Sequence, residues 1–232
     1  MKASEIKAKR VETQENVVRI LIAGRASYAN LLEPVFDSDE KTAEGDPKSY
    51  KSAVLFHKNV SADVLAIVNR AVVDAVKIGM TKFWGGKKPP VLQLPLNNGD
   101  IKFQEDESKY AAYKGMSHLS AKRKEKFGRP IIKAYGKTVT SGGIIESGDW
   151  CVWDISFYPF NNKKKGVAVG LNGVTLLKEG ERFGGGPSES SVADEASSLY
   201  GDITGAAGDA FDDILGMGSG KTDDVDDLLA GL

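Results

Sequence analysis

The stretch Trp150-Cys151-Val152-Trp153-Asp154-Ile155-Ser156-Phe157-Tyr158-Pro159-Phe160, with the polar turn Asn161–Lys165 and the run Gly166-Val167-Ala168-Val169-Gly170-Leu171-Asn172-Gly173-Val174, decides the fold class. Its period of two predicts a strand over Asp149–Phe160, a tight basic turn and a second strand over Gly166–Leu177. Cys151, Trp153, Ile155 and Phe157 share one face of the first strand. Trp150, Asp154, Ser156, Tyr158 and Phe160 share the other. Bulky residues on both faces mean that the strand lies between two layers or keeps one face for stacking. Trp153 and Phe157 read as core, as does the lone cysteine, Cys151. Gly170 and Gly173 in the second strand predict bulging or strong coiling.

Working outward, Val17–Tyr28 is rich in β-branched residues and reads as a long strand bent at Gly24. Tyr50–Lys58 and Ile131–Tyr135 alternate as strands. Ser61 reads as a helix N-cap, and Val64, Leu65, Ile67, Val68, Ala71, Val72, Ala75 and Val76 form one apolar helix face ending near Gly79. Asn97-Asn98-Gly99-Asp100 reads as a hairpin tip. About five bent strands and one capping helix predict a mainly β fold, an OB-fold-like small barrel. An open α+β sheet would give a similar pattern. Residues 1–16 are expected to be a mobile arm or a short surface helix, 17–183 the folded domain, and 184–232 a flexible acidic tail.

The formal charge of −1 conceals a strong division. Phe183–Leu232 holds eleven acidic residues and one basic residue, Lys221, which leaves 30 basic and 21 acidic residues in 1–182. A body near +9 joined to a tail of −10 suggests a polyanion binder whose own tail competes for the binding surface. The tail, rich in Gly, Ser, Ala and Asp, is expected to be disordered, with acidic-apolar clusters at Asp209–Leu215 and Asp223–Leu229 that fold on a partner. Gly216–Thr222 is reminiscent of a phosphate-binding loop but has Leu215 where the motif requires glycine.

Basic residues interleave with aromatics in the body. Phosphates attract cations and unpaired bases need flat apolar faces, so this composition suits single strands better than duplex. The candidate stacking residues are Tyr113, Phe127, Trp150, Tyr158 and Phe160. Candidate phosphate ligands are Arg25, Arg123, Lys124, Lys126, Arg129, Lys163, Lys164 and Lys165. The acidic loop Asp37–Asp46 is expected to lie away from such a surface. Catalysis finds no support: His57 and His118 are far apart in sequence, there is no nucleophile elbow, and the single cysteine excludes a cysteine-based metal cluster. No cofactor is expected. The N-terminus lacks a secretory signal and no apolar run could span a bilayer, so no membrane partner is expected and the cytoplasm is the natural compartment.

Several blocks together resemble a family of tailed-phage and prophage single-stranded DNA-binding proteins. They are Arg25–Pro34, Lys82–Lys87 with Leu94-Pro95-Leu96 and Gly99-Asp100, Ile155–Asn162, Gly166–Val174 and Leu177–Gly186. The resemblance spans about Val17 to Gly186. It implies an OB-fold that coats exposed strands in phage DNA replication, recombination and repair. It also implies an acidic tail that shields the DNA site and recruits replication proteins such as a polymerase, helicase or primase. On this chain that hook would be Asp223, Asp224, Asp226, Asp227, Leu228, Leu229 and Leu232, with an aliphatic end where related tails often carry an aromatic. Two rival readings are a scaffold whose basic body docks the acidic tail of a neighbouring copy, giving a homodimer, and a metal-dependent nucleic-acid enzyme.

Overall fold

The computed structural model describes residues 1–11, 15–37, 43, 45–143, 145–162 and 164–183. The expected tail, 184–232, and Lys163 lie outside them. In chain order the elements are β1 (Ala8–Arg10), β2 (Val18–Phe36), β3 (Lys48–His57), α1 (Ala62–Lys82), β4 (Leu96–Asn98), α2 (Gly99–Glu105), β5 (Met116–Lys124), β6 (Ile131–Ala134), β7 (Lys137–Thr138), β8 (Trp150–Asn161) and β9 (Lys165–Lys178).

Five of these strands close a barrel in the order β2-β3-β5-β9-β8 and back to β2. Every junction is antiparallel except the closing one, where β5 runs parallel to β9 through Ala121 opposite Val169 and Lys122 opposite Gly170. This is the OB-type barrel expected from the sequence. Its interior is filled by alternate residues: Ile20 and Ile22 from β2, Val54 and Phe56 from β3, Leu119 from β5, Cys151, Trp153, Ile155 and Phe157 from β8, and Leu171 from β9, none more than 1% exposed. Burial raises the Cys151 thiol pKa far above its ordinary value, so it stays protonated and acts as a small apolar filler.

β2 pairs with β3 on one side and β8 on the other, and Gly24 makes the approach possible. A Cβ there would lie 2.8 Å from the Leu55 carbonyl oxygen and from Val54 Cγ1. Helix α1 packs Val64, Val68, Ala71, Val72 and Ala75 against the barrel. Ser61 caps it as expected, its Oγ accepting from the Val64 N–H at 3.4 Å.

Three details depart from the sequence reading. Part of the N-terminal arm is ordered against the barrel: β1 pairs with Ile20–Ile22, and Ile6 is buried. Asn97–Asp100 is no hairpin tip. Asn98 caps α2, its Oδ1 accepting from the Asp100 N–H at 3.0 Å, because a short polar side chain before a helix satisfies a free N–H as readily as it fits a turn. β5 was not foreseen, since Ser117, Ser120 and Lys122 interrupt its apolar pattern.

Candidate nucleic-acid interface

On the outside of the barrel, β8, β9, β5 and β3 floor a groove of about 580 Å³. Its aromatic lining comes from Tyr28, Tyr110, Tyr113, Tyr158 and Phe160, its cations from Lys51, Lys102 and Lys122, and one wall from Gln93-Leu94-Pro95. Pairing builds this wall: the Gln93 N–H donates to the Lys165 carbonyl at 3.0 Å, and the Val167 N–H donates to the Gln93 carbonyl at 2.9 Å. The turn end of the β8–β9 hairpin is thereby held beside the groove, with Lys164 exposed at its tip and Lys165 half-buried.

The rings form a sequence along the groove. Tyr28 lies 6.3 Å from Tyr110, Tyr110 meets Tyr113 edge-on at 5.5 Å, and Tyr113 meets His118 edge-on at 5.2 Å. Across from them Tyr158, 36% exposed, lies over Gly170. A bulge aims Tyr28. The β2–β3 register gains one extra β2 residue between Ser27 and Asn30, and Tyr28 adopts φ 50°, a conformation uncommon outside glycine. Its ring consequently stands 47% exposed. Lys102 and Lys109 lie 5.3 and 5.4 Å from the Tyr110 ring centroid, so cations and π-faces are presented together.

Of the expected stacking residues, Tyr158 and Phe160 line the groove and are partly exposed. Tyr113 lines it as buried support: it is 4% exposed and its hydroxyl donates to Ser27 Oγ at 3.1 Å. Trp150 is corrected. It is 6% exposed, stacked on His57 at 6.0 Å with the Arg25 guanidinium 5.5 Å from its ring, so neither face is open to a base. Arg25 likewise lies outside the groove's lining. Its Nε donates to the Gly148 carbonyl at 2.9 Å, its Nη2 donates to the Glu181 carbonyl, and its guanidinium covers the Phe183 ring at 4.3 Å. Arg25 thus ties the end of the described chain to the barrel.

The basic run is split by the end of β5. Lys122 is in the groove, but Arg123, Lys124, Lys126, Phe127 and Arg129 are not among its lining. Arg123 donates to the carbonyls of Gly128 (2.9 Å) and Phe127 (2.7 Å), closing the turn Glu125–Phe127, and Phe127 stands 61% exposed with Lys126 5.1 Å above its ring. Asp37, the first residue of the acidic loop, is also closer than expected. Asp37 pairs with Lys122 at 2.9 Å, because β2 and β5 both flank β3 and bring the end of β2 beside Lys122. The expected tail hook, Asp223 to Leu232, lies outside the described residues.

Sequence reasoning missed Tyr28, Tyr110, Lys51, Lys102 and His118. Tyr110 precedes Tyr113 by three residues, and only burial tells which of the two faces outward. His118 is 6% exposed with its Nδ1 unpartnered, and burial first, then Lys102, lowers its pKa below the ordinary histidine range. Among the described residues no cluster of three potential metal ligands occurs, and no helix is long and apolar enough to cross a membrane.

The geometry is that of a surface for a flexible, stacked polyanion. The family model described as Enterobacter phage Enc34, ssDNA-binding protein, matches residues 18–202. The single-stranded DNA-binding protein from bacteriophage Enc34, solved in complex with ssDNA, shares the fold with a TM-score of 0.59 at 22% identity, over 77% of this chain and 99% of that one. A second structure of the single-stranded DNA-binding protein from bacteriophage Enc34 gives a TM-score of 0.57 at 22% identity, over 81% of this chain and 99% of that one. Protein p50 of Acyrthosiphon pisum secondary endosymbiont phage 1 is 27% identical over 124 residues, 50% of this chain and 66% of that protein.

Proposed function

The chain belongs to the family of phage single-stranded DNA-binding proteins, and from that premise we propose that it coats exposed single strands without sequence selection. The family is one of binding proteins, not enzymes. The observation that carries the proposal for this chain is the groove, where four partly open rings, Tyr28, Tyr110, Tyr158 and Phe160, alternate with Lys51, Lys102 and Lys122. Bases stack on the rings while the lysines, with Lys164 and Lys165 at the rim, neutralise phosphates; every base has a π-face, so such a site tolerates sequence. The setting would be phage replication, recombination and repair in the host cytoplasm, with residues 17–183 as the binding unit.

The acidic tail supplies the second half of the proposal. Its charge opposes that of the body, so it competes with DNA for the groove at low salt, and its acidic-aliphatic end from Asp223 to Leu232 recruits replication proteins. Titrating the full chain with a labelled oligo-dT strand and the matching duplex tests the core of this reading. Much tighter binding of the single strand supports it. Equal binding would describe a backbone binder, and no binding would favour a scaffold. The tryptophans Trp84, Trp150 and Trp153 are at most 6% exposed, so the label belongs on the DNA.

A further inference from the structure

Beside the groove the outward face of β8 carries a second depression of a different chemistry. The two meet along that face, where Tyr158 belongs to the groove and Ser156, two residues earlier, belongs to the second depression. It measures about 960 Å³ and is lined by β2, β8, β9 and the start of β6, with Arg19, Arg123, Arg129 and Lys133 around it.

Its charges are unequally matched. Asp154 is the one carboxylate in the lining among the described residues, and Arg19 holds it in a two-point pair that Asn172 reinforces, donating to Asp154 Oδ1 at 3.0 Å and Ser156 Oγ at 2.7 Å. The β9 bulge places Asn172 there, since Asp154 faces Gly173 while Ile155 faces Leu171. Arg123, Arg129 and Lys133 have no carboxylate within 4.0 Å among the described residues. Two of these cations are held in place by uncharged groups, Arg123 by the carbonyls of Gly128 and Phe127 and Arg129 by the carbonyl of Thr140. Carbonyls orient a guanidinium without cancelling its charge, and a pre-oriented cation loses less freedom on meeting an anion. Among the described residues no aromatic side chain lines the depression.

We propose that this face, centred on Arg123, Arg129 and Lys133, is a second DNA contact that holds the sugar-phosphate backbone of the strand leaving the groove over Tyr158. The inference rests on the groove being the primary single-strand site. With cations but no stacking platform, the second face adds salt-sensitive affinity for long strands only.

The test uses the full chain and labelled oligo-dT of about 6 and about 20 nucleotides, bracketing an OB-fold footprint. The variant Arg129→Gln with Lys133→Gln is expected to bind the short strand within about twofold of wild type. It should bind the long strand about tenfold more weakly, with a salt slope shallower by about 1.4. Lys133→Glu, which alters one exposed side chain without a hydrogen bond or ion pair among the described residues, should act in the same direction and guards against misfolding of the double variant. Tyr158→Ala, the groove control, should weaken both lengths. If the patch variants bind both lengths like wild type while Tyr158→Ala weakens both, the second contact is overturned and the groove stands. Equal loss on both lengths in the patch variants would also overturn it, by merging the patch with the groove. Failure of the wild type to bind either strand would overturn the groove and the patch together.

Discussion

Tyr158 lies across Gly170 on the neighbouring strand, its Cε1 3.4 Å from where a Cβ would stand. The relationship couples a backbone position to the pose of a ring in the groove, since Gly170 pairs with Ser156 on one side and Lys122 on the other. A branched side chain at 170 would lift the ring off the sheet. Gly170→Val is therefore expected to weaken single-strand binding by about 1–3 kcal/mol, the worth of one stacked base, measured by anisotropy. Thermal melting should show a much smaller effect, because residue 170 faces outward. Unchanged binding would detach Tyr158 from the site.

Asp37 and Lys122 give a prediction of the opposite sign. The carboxylate holds at 2.9 Å a lysine that lines the groove, so it competes with phosphate for that cation. Asp37→Asn should tighten binding of oligo-dT several-fold and steepen its salt dependence by about 0.7, as one more cation releases a counterion. Weaker binding by this variant would mean that the pair positions Lys122 and does not restrain it.

Trp150 separates packing from recognition. Enclosed by His57 and Arg25, it should contribute to stability and not to affinity. Trp150→Ala is expected to cost about 3–5 kcal/mol in denaturant unfolding. Trp150→Phe should retain wild-type affinity for oligo-dT, and a large loss of affinity at unchanged stability would return Trp150 to the binding surface.

His118 carries a pH dependence. Burial lowers its pKa in the folded protein, so below the ordinary value of about 6.5 the unfolded chain takes up the proton first. This contribution to stability is full above that value and is lost as pH falls toward the folded pKa. The groups facing the ring are Tyr113 on its edge and Lys102 from α2, and the lysine's charge acts in the same direction. Unfolding free energies of wild type and His118→Gln, measured from pH 7.5 to 5, should converge as the pH drops. Parallel curves would contradict the assignment.

The fold was legible in the sequence where one face of a strand is apolar and the other is not. The core set Cys151, Trp153, Ile155 and Phe157, the Ser61 cap and the β9 bulge all follow from local pattern. β5 escaped because its outward positions carry Ser120 and Lys122 and its polar end merges with a charged turn. The binding surface was legible only in part. Tyr158 and Phe160 alternate with buried neighbours and declare themselves, whereas Trp150 and Tyr113 belong to the same residue class and are buried by groups distant in sequence, His57, Arg25 and Ser27. Tyr28 becomes exposed through a bulge, and a charge count along the chain does not reveal that Lys122 and Arg123, adjacent in sequence, serve different depressions.

The central claim is that single-stranded DNA lies in the groove between the β8–β9 hairpin and the Tyr28–Tyr110 wall. Photocrosslinking the full-length protein to an oligo-dT strand carrying 5-iododeoxyuridine, with the adducts mapped by mass spectrometry, tests it most directly. The account requires adducts at Tyr158 or Phe160 and at Tyr110 or Tyr28, abolished by excess unlabelled single strand and persisting under excess duplex. Adducts confined to residues outside the groove, such as the exposed face of α1, would contradict it.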